Sequence, residues 1–411
     1  MTSAKKPKLI GRLNDLTPKS DLMCYLIPFV CFSVNLIYLL LTGKITSVGG
    51  YYLIHLVYTY DHGFVARGLI GEIISWFTDV VTDEITLQIM IIFNIILLVC
   101  CSLFIGRMLT MVRNDKQRFQ YLSLILIVIF VLGSPLNIYF QDSKLDKVLW
   151  ALTFLSMFLI NSSKGIYIVP FICILATLIN PVFLFCSMIL VSIALLQEFC
   201  ESSHKIKNGI ICAVSYITMI AIGLYAPISE RFLGFETPRE MIDFYFARYD
   251  KPLDPSEIEW LERTCIFDYF GDSFASMFRS ACEIFFIEWD FGIRMIFLLL
   301  IAAIPLFVLF ILFWKEAIKI EENKLQKLIF FFCAIHPVVL IPPVLISWEF
   351  HKYFLNYFLV QVCLVIYFIV KNNRSVLAVI EKLKAFCKNN LWLTLIILSC
   401  FISFVAAFSN G

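Results

Sequence analysis

Asp61, His62, Arg67 and Glu72 lie close together in the stretch HLVYTYDHGFVARGLIGEIISWF, residues 55–77. A carboxylate there can take a proton from an attacking hydroxyl. A histidine and a guanidinium beside it can hold phosphate oxygens. A second group sits in SPLNIYFQDSKLDKVLW, where Asp142 and Asp146 are spaced to share one helix face and Lys144 and Lys147 lie beside them. Two carboxylates so placed can bind a divalent cation or orient a sugar. The polar segment 228–292 is acidic but rich in Tyr and Phe, and it carries Arg231, Arg239 and Arg248. Its rings can stack on sugars and its guanidinium groups can contact phosphate. Finally, Trp348, Glu349, His351 and Lys352 cluster after a run broken by Pro337, Pro342 and Pro343, with His336 inside that run. At the mouth of a cavity, Lys352 would supply charge and His351 a hydrogen bond to a lipid diphosphate.

Each group also has a plain structural reading. Asp61 can cap a helix, and Arg67 can snorkel to a membrane surface. Asp142 and Asp146 can be an ordinary acidic helix start, and His336 a hydrogen-bonded interior residue.

The elements that must position these residues are set by composition. The chain has 411 residues, 60% of them hydrophobic and 16% charged, with 41 Phe. Soluble domains carry roughly 45–50% apolar and about 25% charged residues. A water-soluble fold has no means of hiding so much apolar surface, so the class is an all-α polytopic membrane protein. Apolar runs predict about eleven transmembrane helices, at 22–41, 85–106, 119–138, 147–160, 166–179, 182–197, 209–227, 293–314, 328–346, 354–370 and 391–408. Asn180-Pro181 divides 166–197 into two short helices, because proline lacks an N–H and disfavours helix before it.

Loop charge sets the orientation. With the N-terminus cytoplasmic, most of the 33 Lys and Arg fall in the inner segments, which are the tail 1–21, 107–118, 161–165, 198–208, 315–327 and 371–390. Most of the 31 Asp and Glu fall in the outer segments 42–84, 139–146, 228–292 and 347–353. All four chemical groups therefore face outward, across a plasma membrane if the source is bacterial. From Phe64 to Asp79 the apolar residues follow a helical two-face pattern too charged to span, which predicts an amphipathic helix along the outer interface, with Asp61 at its start. Segment 371–390 reads as a basic amphipathic helix on the inner leaflet.

Net charge is +2, so no attraction to nucleic acid is implied. The 14 cysteines lie mostly in apolar runs and lack metal-binding CxxC spacing, although Cys265 and Cys282 can pair if segment 228–292 is outside the cytoplasm. P-loop, HExxH, GxSxG and nicotinamide motifs are absent.

YTYDHGF in the first outer loop, QDSKLD in the second and the long loop 228–292 together resemble the layout of the GT-C superfamily of membrane glycosyltransferases. DHGFVARGLIGE also looks like segments of bacterial membrane proteins with capsule or cell-wall polymer roles. The resemblance covers roughly residues 22–292. It implies a GT-C-like module over 22–227 and a long extracytoplasmic loop at 228–292, and the apolar runs place further transmembrane helices over 293–411. It implies transfer of a sugar from a polyprenyl-phosphate carrier to a glycan or lipid acceptor. Asp61 would be the base, with Asp142 and Asp146 as supporting carboxylates. His62, Arg67, Glu72, Arg231, Arg239, His351 and Lys352 would bind substrate. The family's Asp-x-Asp or Glu-x-Asp pair has no counterpart in either loop, which leaves a divalent cation open. Two other readings stay open: a polymerase or ligase of lipid-linked repeat units working through Arg231, Arg239 or Arg248, and a lipid-linked-sugar flippase or transporter with broken helices at Pro181 and Pro337.

Overall fold

The computed structural model describes residues 20–45, 53–65, 67–127, 139–140, 145–162, 164–201, 205–229, 233–268, 279, 303–341 and 350–409. Apart from a single parallel bridge between Val81 and Tyr249, every regular element among them is helical. Among the described residues three helices are long and apolar enough to cross a membrane: α1 (Asp21–Leu41), α4 (Asp83–Val112) and α14 (Phe350–Val370), the last by its stretch from Tyr353. The remaining helices are α2 (Ile54–Val57), α3 (Leu69–Ser75), α5 (Lys116–Leu126), α6 (Asp146–Ile160), α7 (Val169–Ile179), α8 (Met188–Glu201), α9 (Lys205–Ser229), α10 (Pro238–Phe246), α11 (Pro255–Asp268), α12 (Ile304–Ile320), α13 (Lys324–Val339), α15 (Arg374–Asn389) and α16 (Leu391–Ser409).

Five of the helices start where a side chain satisfies one or more of the first free N–H groups. Thr82 accepts from Ile85 N, Asp115 from Arg118 N, Thr237 from Glu240 N, Asn323 from Leu325 N and Asn373 from Val376 N. The outer surface of the bundle is greasy. Helix α1 buries only Cys24, Pro28, Phe32, Leu36 and Leu39, and exposes Leu22, Val30, Val34 and Leu41. Exposed apolar side chains on this scale suit lipid, not water. Helix α14 is the opposite case and is buried almost all round.

Helix α4 defines the long axis, about 45 Å at 1.5 Å per residue. At its C-terminal end Arg107 donates to Asn161 O at 3.0 Å and Arg113 pairs with Asp21 at 2.7 Å. The same end gathers Arg118 with Val370 O, Gln117 with Glu381, Lys371 with Glu198, Lys382 with Glu316 and Ser375 with Glu321. At the other end Asp83 holds Tyr249 and Lys251. Segments expected to share the inner side thus meet at one end, and 42–84 meets 228–292 at the other.

Three helices are short for a reason visible in their contacts. Helix α6 runs beside α4 from Lys147, bonded to Asn94, down to Asn161, bonded to Arg107. It therefore begins near the middle of α4. Helix α7 ends at Ile179, Asn180 accepts from Val182 N, and a 3-10 turn (Pro181–Leu184) leads into α8. The interruption expected at Asn180-Pro181 is present.

Other expectations are revised. The interfacial helix expected from Phe64 is only seven residues long, Leu69–Ser75. Gly63 (φ 122°) and Arg67 (φ 71°) adopt left-handed backbone that no α-helix continues through. Asp61 is consequently no helix cap: α3 starts after Gly68 with no side-chain cap. Leu53 to Thr59 are buried, so this stretch is core and not a surface strip. His351 and Lys352 lie in the first turn of α14, not in a loop. The expected amphipathic segment 371–390 forms α15 and packs on α12. Cys282, and the side chain of Cys265, lie outside the described residues.

Candidate functional site

The segment 53–77 folds back on itself because two glycines permit it. A Cβ on Gly71 would stand 2.1 Å from Tyr58 O, and one on Gly68 would meet Val65 and Tyr60. Only glycine allows α3 to press this closely against the Leu56–Tyr60 backbone. Glu72 closes the same fold: its carboxylate accepts from Tyr60 N at 2.9 Å and Trp76 Nε1 at 3.3 Å. Burial and the nearby Glu72 charge push the Tyr60 phenol up to about 12.

The segment 233–251 then docks on this loop. At the start of α10 Thr237 accepts from Glu240 N, and the Glu240 carboxylate reaches back to accept from Glu236 N. Its buried face carries Met241, Ile242, Tyr245 and Phe246. Tyr245 stacks against Tyr58 with centroids 4.5 Å apart and donates to Thr59 O at 3.3 Å. Just beyond α10, Arg248 donates to Val57 O at 2.9 Å and Thr78 O at 3.2 Å, while its carbonyl accepts from Val81 N. Segments 53–81 and 233–251 are thus one structural unit.

Asp61 sits at the edge of this unit. It is exposed, and Thr59 Oγ1 donates to its Oδ2 at 2.5 Å. Its charge reaches the two residues beneath it. Burial, then the Asp61 carboxylate, pushes the Tyr245 phenol up. Burial draws the Arg248 guanidinium down, opposed by Asp61, Asp79 and Glu72. Next to Asp61, the exposed His62 ring lies 4.7 Å from Phe235 and 4.4 Å, edge-on, from Phe244. Phe64 stacks on Tyr60 and approaches Tyr225 at 5.6 Å. The result is an open carboxylate on a ledge of aromatic rings, tied from below by the relay Tyr245 to Thr59 to Asp61.

The other expected site residues are distributed as follows. Arg67 is half-buried at its left-handed turn. Arg239 is half-exposed and pairs with Asp243 and Glu262. Asp146 is 4% exposed in the first turn of α6, and Lys147 beside it is 1% exposed. Lys147 donates to Asn94 Oδ1 at 3.0 Å, and Asn94 donates to Phe140 O at 3.1 Å. Close by in sequence, Tyr139 and Trp150 both donate to Asn356 Oδ1, at 2.7 and 2.6 Å. Asp142 and Arg231, with the side chains of His351 and Lys352, lie outside the described residues. Among the described residues no group of three or more His, Cys, Asp or Glu is arranged to hold a metal.

Thr59, Tyr245, Phe235 and Phe244 escape a reading by motif. Their types are unremarkable, and they join Asp61 only through contacts far apart in sequence. The signal that could have found them is the apolar face of 238–246, which needs a partner at the outer end. No family model, curated protein or solved structure matches the chain.

Proposed function

We propose that this protein is a membrane glycosyltransferase that moves a sugar from a polyprenyl-phosphate carrier to an acceptor hydroxyl on the outer side of the membrane, in assembly of a cell-surface glycan. The observation that carries this reading is the exposed Asp61 carboxylate, oriented by Thr59 and bordered by His62, Phe235 and Phe244. Aromatic rings suit the apolar faces of a sugar, and a carboxylate in hydrogen-bond reach of a hydroxyl suits a general base.

In this reading Asp61 removes the acceptor hydroxyl proton as its oxygen attacks the anomeric carbon. The bond from that carbon to the carrier phosphate breaks, and the phosphate leaves with the electron pair. Arg67, His351 and Lys352 neutralise the leaving phosphate. Asp146 would be a supporting carboxylate at the start of α6, which lies beside Asn94 of α4. About eleven spans, with the N-terminus inside, put Asp61 at the outer surface. The clustering of basic inner segments at the far end of α4 supports that orientation.

Arg248 has a different part from the one a polymerase or ligase would give it. Its guanidinium is committed to the Val57 and Thr78 carbonyls, so it braces the loop that carries Asp61. A transporter reading draws on the break between α7 and α8. Counterflow of labelled lipid-linked sugar in liposomes, unaffected by Asp61→Asn, would favour transport. Transfer by the wild type and loss of transfer in Asp61→Asn favours the enzyme.

A further inference from the structure

His336 is completely buried on α13, and one of its ring nitrogens has a fixed role. Trp314 fixes that role, because its indole can only donate. It donates to Gln361 Oε1 at 2.6 Å, which settles which end of the Gln361 amide is oxygen. Gln361 Nε2 then donates to Cys333 O at 3.1 Å and faces His336 Nδ1 at 3.2 Å. Both of its hydrogens are used if Nδ1 accepts. A neutral His336 must therefore carry its proton on Nε2.

That Nε2 is buried and has no hydrogen-bond partner among the described residues. The ring centroids of His336 and Tyr357 lie 5.2 Å apart, and the Tyr357 hydroxyl is likewise buried without a partner among the described residues. Ser187, which follows Cys186 in the turn packed against Tyr357, also has an unbonded buried hydroxyl. The surroundings are apolar: Phe307 stacks on Tyr357 at 4.1 Å, with Phe310, Leu340 and Cys186 around it. Leaving an N–H and an O–H unbonded in such a place costs about 1–3 kcal/mol each. Buried polar groups without partners are rare for that reason.

We infer that His336 and Tyr357 form a receptor for one neutral hydroxyl oxygen in the interior of the bundle. The oxygen accepts from His336 Nε2–H and bonds to the Tyr357 hydroxyl. Apolar walls select a neutral group, because a charge there would lose its hydration without compensation. The hydroxyl belongs either to water or to a lipid alcohol. This site is built from α13 and α14 and stands whether or not Asp61 is a base.

The test is nitrogen NMR on the full chain in phosphatidylcholine nanodiscs, with ¹⁵N-histidine and with farnesol as the probe. The His336 signals are assigned by their loss in His336→Gln. The expected result is an unprotonated Nδ1, a protonated Nε2, and a contact from the Nε2 proton to a hydroxyl proton. A contact to water without farnesol identifies water. A contact that appears only with farnesol identifies a lipid alcohol, and Tyr357→Phe should then weaken farnesol binding on the order of tenfold. A proton on Nδ1, or an Nε2 proton touching no hydroxyl in either sample, overturns the inference. If His336→Gln fails to fold, Tyr357→Phe assigns the same signal through the shift of its ring neighbour.

Discussion

Thr59 is the residue that makes Asp61 more than a surface charge. Its carbonyl is held by Tyr245 and its hydroxyl donates to Asp61. Thr59→Val keeps the shape and removes that hydrogen bond. The expected outcome is a protein of unchanged thermal stability within about 1–2 kcal/mol, with a transfer rate reduced about tenfold, measured as kcat. Gly71 is the second decisive position. Its Cβ would overlap Tyr58 O, a backbone atom that cannot move away cheaply. Gly71→Ala should cost about 1–3 kcal/mol or more and expose segment 53–77 to protease. Asp61 stands out as a candidate in the sequence because its neighbours are unusual for an apolar chain. Its supports do not, because Tyr245 reaches Thr59 across 186 positions and no local pattern encodes that contact. The burial of Lys147 has no local signal for a related reason: its partner Asn94 is buried 53 positions away.

At the scale of elements, the docking of α10 on α2 and the Tyr58–Thr59 stretch that follows it decides whether the site exists. Arg248 is the clasp. Arg248→Met leaves the carbonyls of Val57 and Thr78 without their donor. Limited proteolysis within 233–268 should then be several-fold faster than in the wild type, with transfer lost in parallel. Thr237→Ala is a milder version: losing the cap should cost α10 about 1 kcal/mol, read as a lower melting temperature. The helical runs themselves were largely readable from hydrophobicity, including the break at Asn180-Pro181 and the amphipathic α15. The expected helix from Phe64 was too long because periodicity does not register backbone handedness. Gly63 and Arg67 take positive φ, and the side-chain pattern continues through them as though they did not.

At the scale of the molecule, charge and depth are organised along α4. One end gathers Arg113, Lys371 and the α15 lysines, and the other gathers Asp83, Lys251 and the Asp61 ledge. A cysteine placed at Asp243 should react with a membrane-impermeant maleimide in intact cells. One placed at Lys388 should react only after permeabilisation. Labelling of both from the same side would invalidate the topology. Glycosyl transfer at the outer face remains the central claim, and Asp61 is its narrowest point. The most direct measurement compares purified wild type with Asp61→Asn on a panel of polyprenyl-phosphate sugars, with circular dichroism to show that both fold. Wild type should transfer a sugar, and the Asn form should lose transfer by about 100-fold or more. A folded Asn form that matches wild type, or a wild type that transfers from no donor, would contradict a general base at Asp61.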